Sequence, residues 1–157
     1  MIRVPRVWVP IFCLMLSSCN QREPAVNSDS NVLQYDGAWI REAPPGMSMM
    51  AGYLNIRNNG DKDVAILSAT SAAFMDIEMH KTKITGKTAR MIKQERLLIP
   101  KGGGIELSPG GFHLMLMMPI KPLKEGDKVD IKFKRDAGFV DKVEFEVLKA
   151  VGHGNKH

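Results

Sequence analysis

Lys128-Val129-Asp130-Ile131-Lys132-Phe133-Lys134 alternates polar and apolar side chains without a slip, and Lys142-Val143-Glu144-Phe145-Glu146-Val147 does the same. A period of two gathers the apolar groups on one face of an extended strand; a helix would need them every three or four residues. Asp136-Ala137-Gly138 in the connection makes these two segments a hairpin. Similar punctuation recurs along the chain. Asn58-Asn59-Gly60 separates Ala51–Arg57 from Asp63–Ala69 and reads as another hairpin turn. Gly102-Gly103-Gly104 and Pro109-Gly110-Gly111 bracket a short strand at Ile105–Leu107, and Lys124-Glu125-Gly126-Asp127 is a further turn. Eight or nine short strands with turn chemistry at regular spacing, and no amphipathic helix, predict an antiparallel β-sandwich with Greek-key connections.

The first nineteen residues are of another kind. Arg3 and Arg6 precede the ten-residue apolar run Val7–Leu16, too short for a bilayer-spanning helix. Leu16-Ser17-Ser18-Cys19 resembles a bacterial lipobox, in which the chain is cut before the cysteine and its thiol carries a lipid anchor. The competing reading is an ordinary secretory signal with Cys19 incidental. Residues 1–18 are thus expected to be a signal peptide, 19–31 a lipidated cysteine and polar tether, 32–148 the folded domain and 149–157 a polar tail. Cleavage removes two of the 22 basic residues and none of the 17 acidic ones, leaving a charge of +3. That balance on an exported domain argues against nucleic acid. Cys13 leaves with the signal and Cys19 is the anchor, so the domain has no free thiol for metal chemistry.

Eleven methionines and four histidines are the unusual part of the composition. In Phe74–His80, alternation sets Met75, Ile77 and Met79 on one face and Asp76, Glu78 and His80 on the other. In Phe112–Met118, Phe112, Leu114, Leu116 and Met118 form an apolar face, while His113, Met115 and Met117 share the opposite one. Three readings compete for that second face. Met115 and Met117 can be adaptable core fillers beside a half-buried histidine. They can form a soft surface for an apolar partner. Or imidazole and thioether, projecting in parallel from positions two apart, can converge on a metal. Neutral sulfur and imidazole suit Cu(I), whereas zinc favours thiolate or carboxylate, and magnesium and calcium favour oxygen.

The spacing His80-x10-Met91-x21-His113-x-Met115 resembles the signature of the PCu(A)C family of periplasmic copper chaperones. Asp36–Arg41, Ala51–Asn58, Gly110–Met117 and Lys121–Asp127 are similar to that family's strands as well, so the resemblance covers Gln34 to Leu148. It implies an all-β, cupredoxin-like sandwich binding one Cu(I) through His80, Met91, His113 and Met115. It further implies that copper passes by ligand exchange to a cytochrome oxidase copper-bearing subunit or a Sco-type assembly protein. Many family members carry a methionine soon after the first histidine, but the segment Lys81–Arg90 has none. Met117, and Met47, Met49 and Met50 in the Pro-rich loop, are candidate auxiliary donors; the competing reading makes the last three loop and core residues. His153 and His157 could hold Cu(II) at a secondary tail site, or belong to a free polar end. Lys81, Lys83, Lys87, Arg90 and Lys93, with no acidic residue among them, form either a basic collar for an acidic partner or a solvated hairpin.

The resulting expectation is a monomeric, periplasmic, membrane-anchored lipoprotein, on the outer membrane, that carries Cu(I) and catalyses no reaction. A periplasmic copper buffer or resistance protein and a structural envelope lipoprotein without metal are the alternatives. An electron-transfer blue copper protein is excluded because it needs a cysteine thiolate in the site.

Overall fold

The structure, a computed structural model, describes residues 32–44 and 46–149. The expected signal, Cys19, the tether, His153 and His157 lie outside the described residues. The ten strands are β1 (Leu33–Arg41), β2 (Met49–Asn58), β3 (Val64–Thr70), β4 (Phe74–Thr85), β5 (Thr88–Lys93), β6 (Leu97–Ile99), β7 (Gly104–Leu107), β8 (Phe112–Pro119), β9 (Lys128–Arg135) and β10 (Val140–Leu148). Among the described residues there is no α-helix, and a 3-10 turn at Asp136–Gly138 joins β9 to β10. The all-β, cupredoxin-like expectation holds.

The strands form one continuous open ladder in the order β5-β4-β8-β7-β2-β1-β10-β9-β3-β6, with β8 also bonded to β2. Most pairings are antiparallel, but β1 runs parallel to β10 and β7 meets β8 in parallel. The two ends of the ladder enclose one core. Ile40, Leu54, Ile77, Met79, Leu114 and Leu116 from one half and Ile66, Val129, Ile131, Phe133, Phe145 and Val147 from the other belong to the same buried cluster. In β9 the alternation is complete, Val129, Ile131 and Phe133 being buried between exposed lysines and Asp130. Gly52 lies opposite Leu114, and a Cβ at Gly52 would stand 3.3 Å from that of Leu114, so the glycine lets these strands pack closely.

Local patterning misplaces three features. The expected hairpin at Asn58-Asn59-Gly60 does not form: β2 pairs with β1, β7 and β8, and β3 with β6 and β9. Asn58 is instead buried, and its amide donates to the carbonyls of Lys62 and Ile99. That turn therefore carries the chain from one half of the ladder to the other. Met118, expected on the core face, has a φ of 48° and is exposed. The left-handed backbone turns its side chain outward. Met75 is also exposed, at the start of β4, whereas Ile77 and Met79 on its face are buried.

Candidate metal centre

Cross-strand register places the candidate donors on the outer face of the sheet, opposite the core. His80 on β4 stands directly opposite His113 on β8, Glu78 opposite Met115, and Asp76 opposite Met117. On β8's other flank, Met115 faces Ala51 and Met117 faces Met49. Met91 on β5 is opposite Thr82, two residues beyond His80 on the same face. The histidine pair thus occupies the middle of a diagonal with a thioether at either end.

Burial and hydrogen bonding constrain both histidines. Both are buried, their ring centroids 5.9 Å apart and their planes inclined by 48°. Nε2 of His80 donates to Glu78 at 2.8 Å, and Glu78 also accepts from Lys93. The Lys93 hydrogen bond, and then that of His80, hold the Glu78 carboxyl below the usual carboxylate range. Nδ1 of His113 donates to the carbonyl of Gly111 at 3.3 Å. The other ring nitrogens, Nδ1 of His80 and Nε2 of His113, are buried without a hydrogen-bond partner.

A buried polar atom left unsatisfied costs about 1–3 kcal/mol, so two in facing rings call for a ligand. An imidazole–metal bond of about 2.0 Å puts each ring centroid roughly 3 Å from the ion, and two such rings at most roughly 6 Å apart. The observed separation fits one shared ion. Burial, opposed by the Gly111 hydrogen bond and reinforced by His80, moves the pKa of His113 below its ordinary 6.5, which keeps that ring neutral.

Among the described residues no three His, Cys, Asp or Glu side chains are grouped to hold a metal, so a hard oxygen–nitrogen centre is not built here. Softer donors surround the pair. Met49, Met50, Met91, His113 and Met115 line one cavity of about 420 Å³, walled also by Arg41, Tyr53 and Pro109. His80 does not line it directly and adjoins it through His113. Met115 is half-buried, and Met91 is 59% exposed on the edge strand.

The auxiliary candidates separate by position. Met49 is exposed and shares the cavity, whereas Met50 also belongs to the core. Met117 is half-buried but is not in the cavity wall, and Met47 lines a neighbouring cleft with Pro119 and Leu123. Glu78 and Gly111 were absent from the sequence-derived site. The Glu-x-His alternation was visible, but that Glu78 would turn to His80 rather than to solvent was not. Trp39 and Tyr53, with ring centroids 4.6 Å apart and the Arg41 guanidinium over both, form a second small cluster beside the cavity.

A family model described as "Putative lipoprotein LpqE-like" matches residues 33–147. The solution structure of CuI-DR1885 from Deinococcus radiodurans is 30% identical, with a TM-score of 0.61, over 73% of this chain and 77% of that one. The chain belongs to the LpqE-like, PCuAC-type family. A further relative of this LpqE-like protein, "Putative lipoprotein Lxx21020" of Leifsonia xyli subsp. xyli, is 28% identical over 128 residues, 80% of this chain and 74% of its own length. The copper-bound PCuAC domain from PmoF2 superposes on the LpqE-like domain with a TM-score of 0.64 at 17% identity, over 75% of this chain and 93% of that one. At that identity the likeness is one of fold.

Proposed function

We propose that this LpqE-like protein is an exported, lipid-anchored metallochaperone that binds one Cu(I) through His80, Met91, His113 and Met115 and passes it on. The observation that carries the reading is the pair of partnerless nitrogens on cross-strand, buried imidazoles, with thioethers at either end of the diagonal through them. Relatives described as copper-bound and as putative lipoproteins support it. The donor set suits a carrier. Neither a thioether nor a neutral imidazole contributes formal charge, so an incoming thiolate can displace the methionines one at a time. Met91, on the exposed edge strand, is the natural first to leave. Delivery to a respiratory oxidase copper centre, directly or through a Sco-type protein, is the proposed destination. The periplasm is the proposed compartment.

Anaerobic Cu(I) titration with a competing chelator, followed by X-ray absorption, tests the site. One equivalent bound with mixed nitrogen and sulfur coordination is expected, together with loss of binding in His80→Ala and Met115→Ala. Undiminished binding in both variants would overturn the assignment. A deletion strain that loses oxidase activity under copper limitation marks delivery; one that fails only in excess copper marks a buffer.

A further inference from the structure

The β4–β5 arm carries a concentration of positive charge without acidic residues of its own between Met79 and Gln94. On the β9–β10 hairpin two of the four lysines are answered by carboxylates, Lys128 by Glu144 at 2.6 Å and Lys142 by Asp130 at 3.0 Å, although Lys132 stands opposite Lys142. On the arm, Lys83 stands directly opposite Arg90, an arrangement of like charges that weakens a strand pair. From Met79 to Gln94 the sequence has no acidic residue, and among the described residues no carboxylate pairs with Lys81, Lys83, Lys87 or Arg90. Lys81 is held over the Phe112 ring at 4.6 Å, and Lys87 is exposed at the turn. Lys83, Thr85, Thr88, Arg90 and Ile92 border a recess of about 400 Å³ on the face turned away from Met91. The strand bearing Arg90 is the sheet edge, exposed at all six residues.

We propose that this arm is the docking element for an acidic protein segment, whose carboxylates enter the recess and neutralise the Lys83–Arg90 pair. Among the described residues no carboxylate answers this charge, and a concave recess with two flanking hydroxyls suits carboxylates on an extended segment better than a flat bilayer. Arg90 precedes Met91 on β5, so a segment held in the recess lies on the same edge strand as the exposed thioether, across the arm from it. That this segment belongs to the copper recipient rests on the chaperone reading above; that the arm binds acidic protein does not.

The test uses the purified full-length chain without copper and a fluorescein-labelled Glu-Asp dodecapeptide, read by fluorescence anisotropy at low salt. Binding is expected to weaken about tenfold in K83E/R90E and to hold in K132E/K134E, which makes the same change in net charge on exposed positions of β9. K83Q/R90Q, which removes the charge without reversing it, should fall between. Equal loss in both reversal variants, or loss in neither, overturns the proposal. So does capture of the chain by phosphatidylglycerol vesicles through Lys83 and Arg90 without binding of the peptide. Because the readout needs no metal, failure of Cu(I) binding would leave this result standing, and failure here would leave the copper site untouched.

Discussion

Nε2 of His80 lies 2.8 Å from the carboxylate of Glu78, two residues earlier on the same strand. That contact occupies Nε2 and orients the ring, leaving Nδ1 as the nitrogen open to a ligand. Replacing Glu78 by Ala should lower Cu(I) affinity by about 10–100-fold while leaving the fold intact. Chelator competition alongside far-UV circular dichroism measures both. An unchanged affinity would mean that His80 is oriented by something else.

The cavity ranks the methionines. Met91→Leu and Met115→Leu keep the side-chain volume but remove a donor, and each should weaken Cu(I) binding at least about tenfold. Met47→Leu should have no effect, because Met47 lines a different cleft. Met49→Leu is the informative auxiliary: it shares the cavity wall with Met91 and Met115, so a smaller loss is expected there than at either. Titration of the four variants side by side gives the order.

The lowered pKa of His113 sets two pH dependences of the same sign. In folding, the unfolded chain takes up a proton near pH 6.5 while the buried ring resists it. This group's contribution to stability is therefore complete above about 6.5, shrinks as the pH falls below that value, and is gone once the pH is below the folded pKa. In binding, protons compete with copper at His113 only below 6.5, so its share of the pH dependence begins lower than an exposed imidazole would give. Urea midpoints and Cu(I) affinities between pH 7.5 and 5 should both decline toward acid, and His113→Gln should flatten the His113 part of each. Flat profiles in the parent would argue against a histidine-containing site.

At the other end of the core, buried Arg135 pairs with Asp141 at 2.8 Å, and the Tyr35 hydroxyl donates to the same carboxylate at 2.7 Å. Burial, and then the Asp141 hydrogen bond, raise the Tyr35 pKa, so that hydroxyl stays protonated as a donor. Asp141→Ala leaves a buried cation without its carboxylate and should cost about 3–5 kcal/mol in chemical denaturation. Cu(I) affinity measured at a temperature where the variant is folded should not change, since none of the three residues lines the ligand cavity.

Much of this was legible in the residues. Alternation in β8 and β9 is a local consequence of which side of a strand meets the core, and it separated His113, Met115 and Met117 correctly from Leu114 and Leu116. It failed at Met118 because a left-handed φ breaks the period at that residue, and nothing in the side chain announces such a backbone. It failed at Asn58 because a turn signal reports local bending and not which strands then pair. Two of the partners of β2, β7 and β8, lie far along the chain, as does β10, the parallel partner of β1. The basic arm was plain in composition. That Lys83 and Arg90 oppose each other depends on a register no short window contains.

The direction of β1 has a bearing on how the molecule can be tethered. The strand begins at Leu33 and ends at Arg41, which borders the ligand cavity, so the described chain starts about 25 Å from the cavity mouth along the strand axis. Whatever is fastened ahead of Val32, whether a lipid, an affinity tag or a fused protein, joins the described domain at the end of β1 away from Arg41. The cavity's rim at Arg41 is then separated from the mooring by the length of one strand.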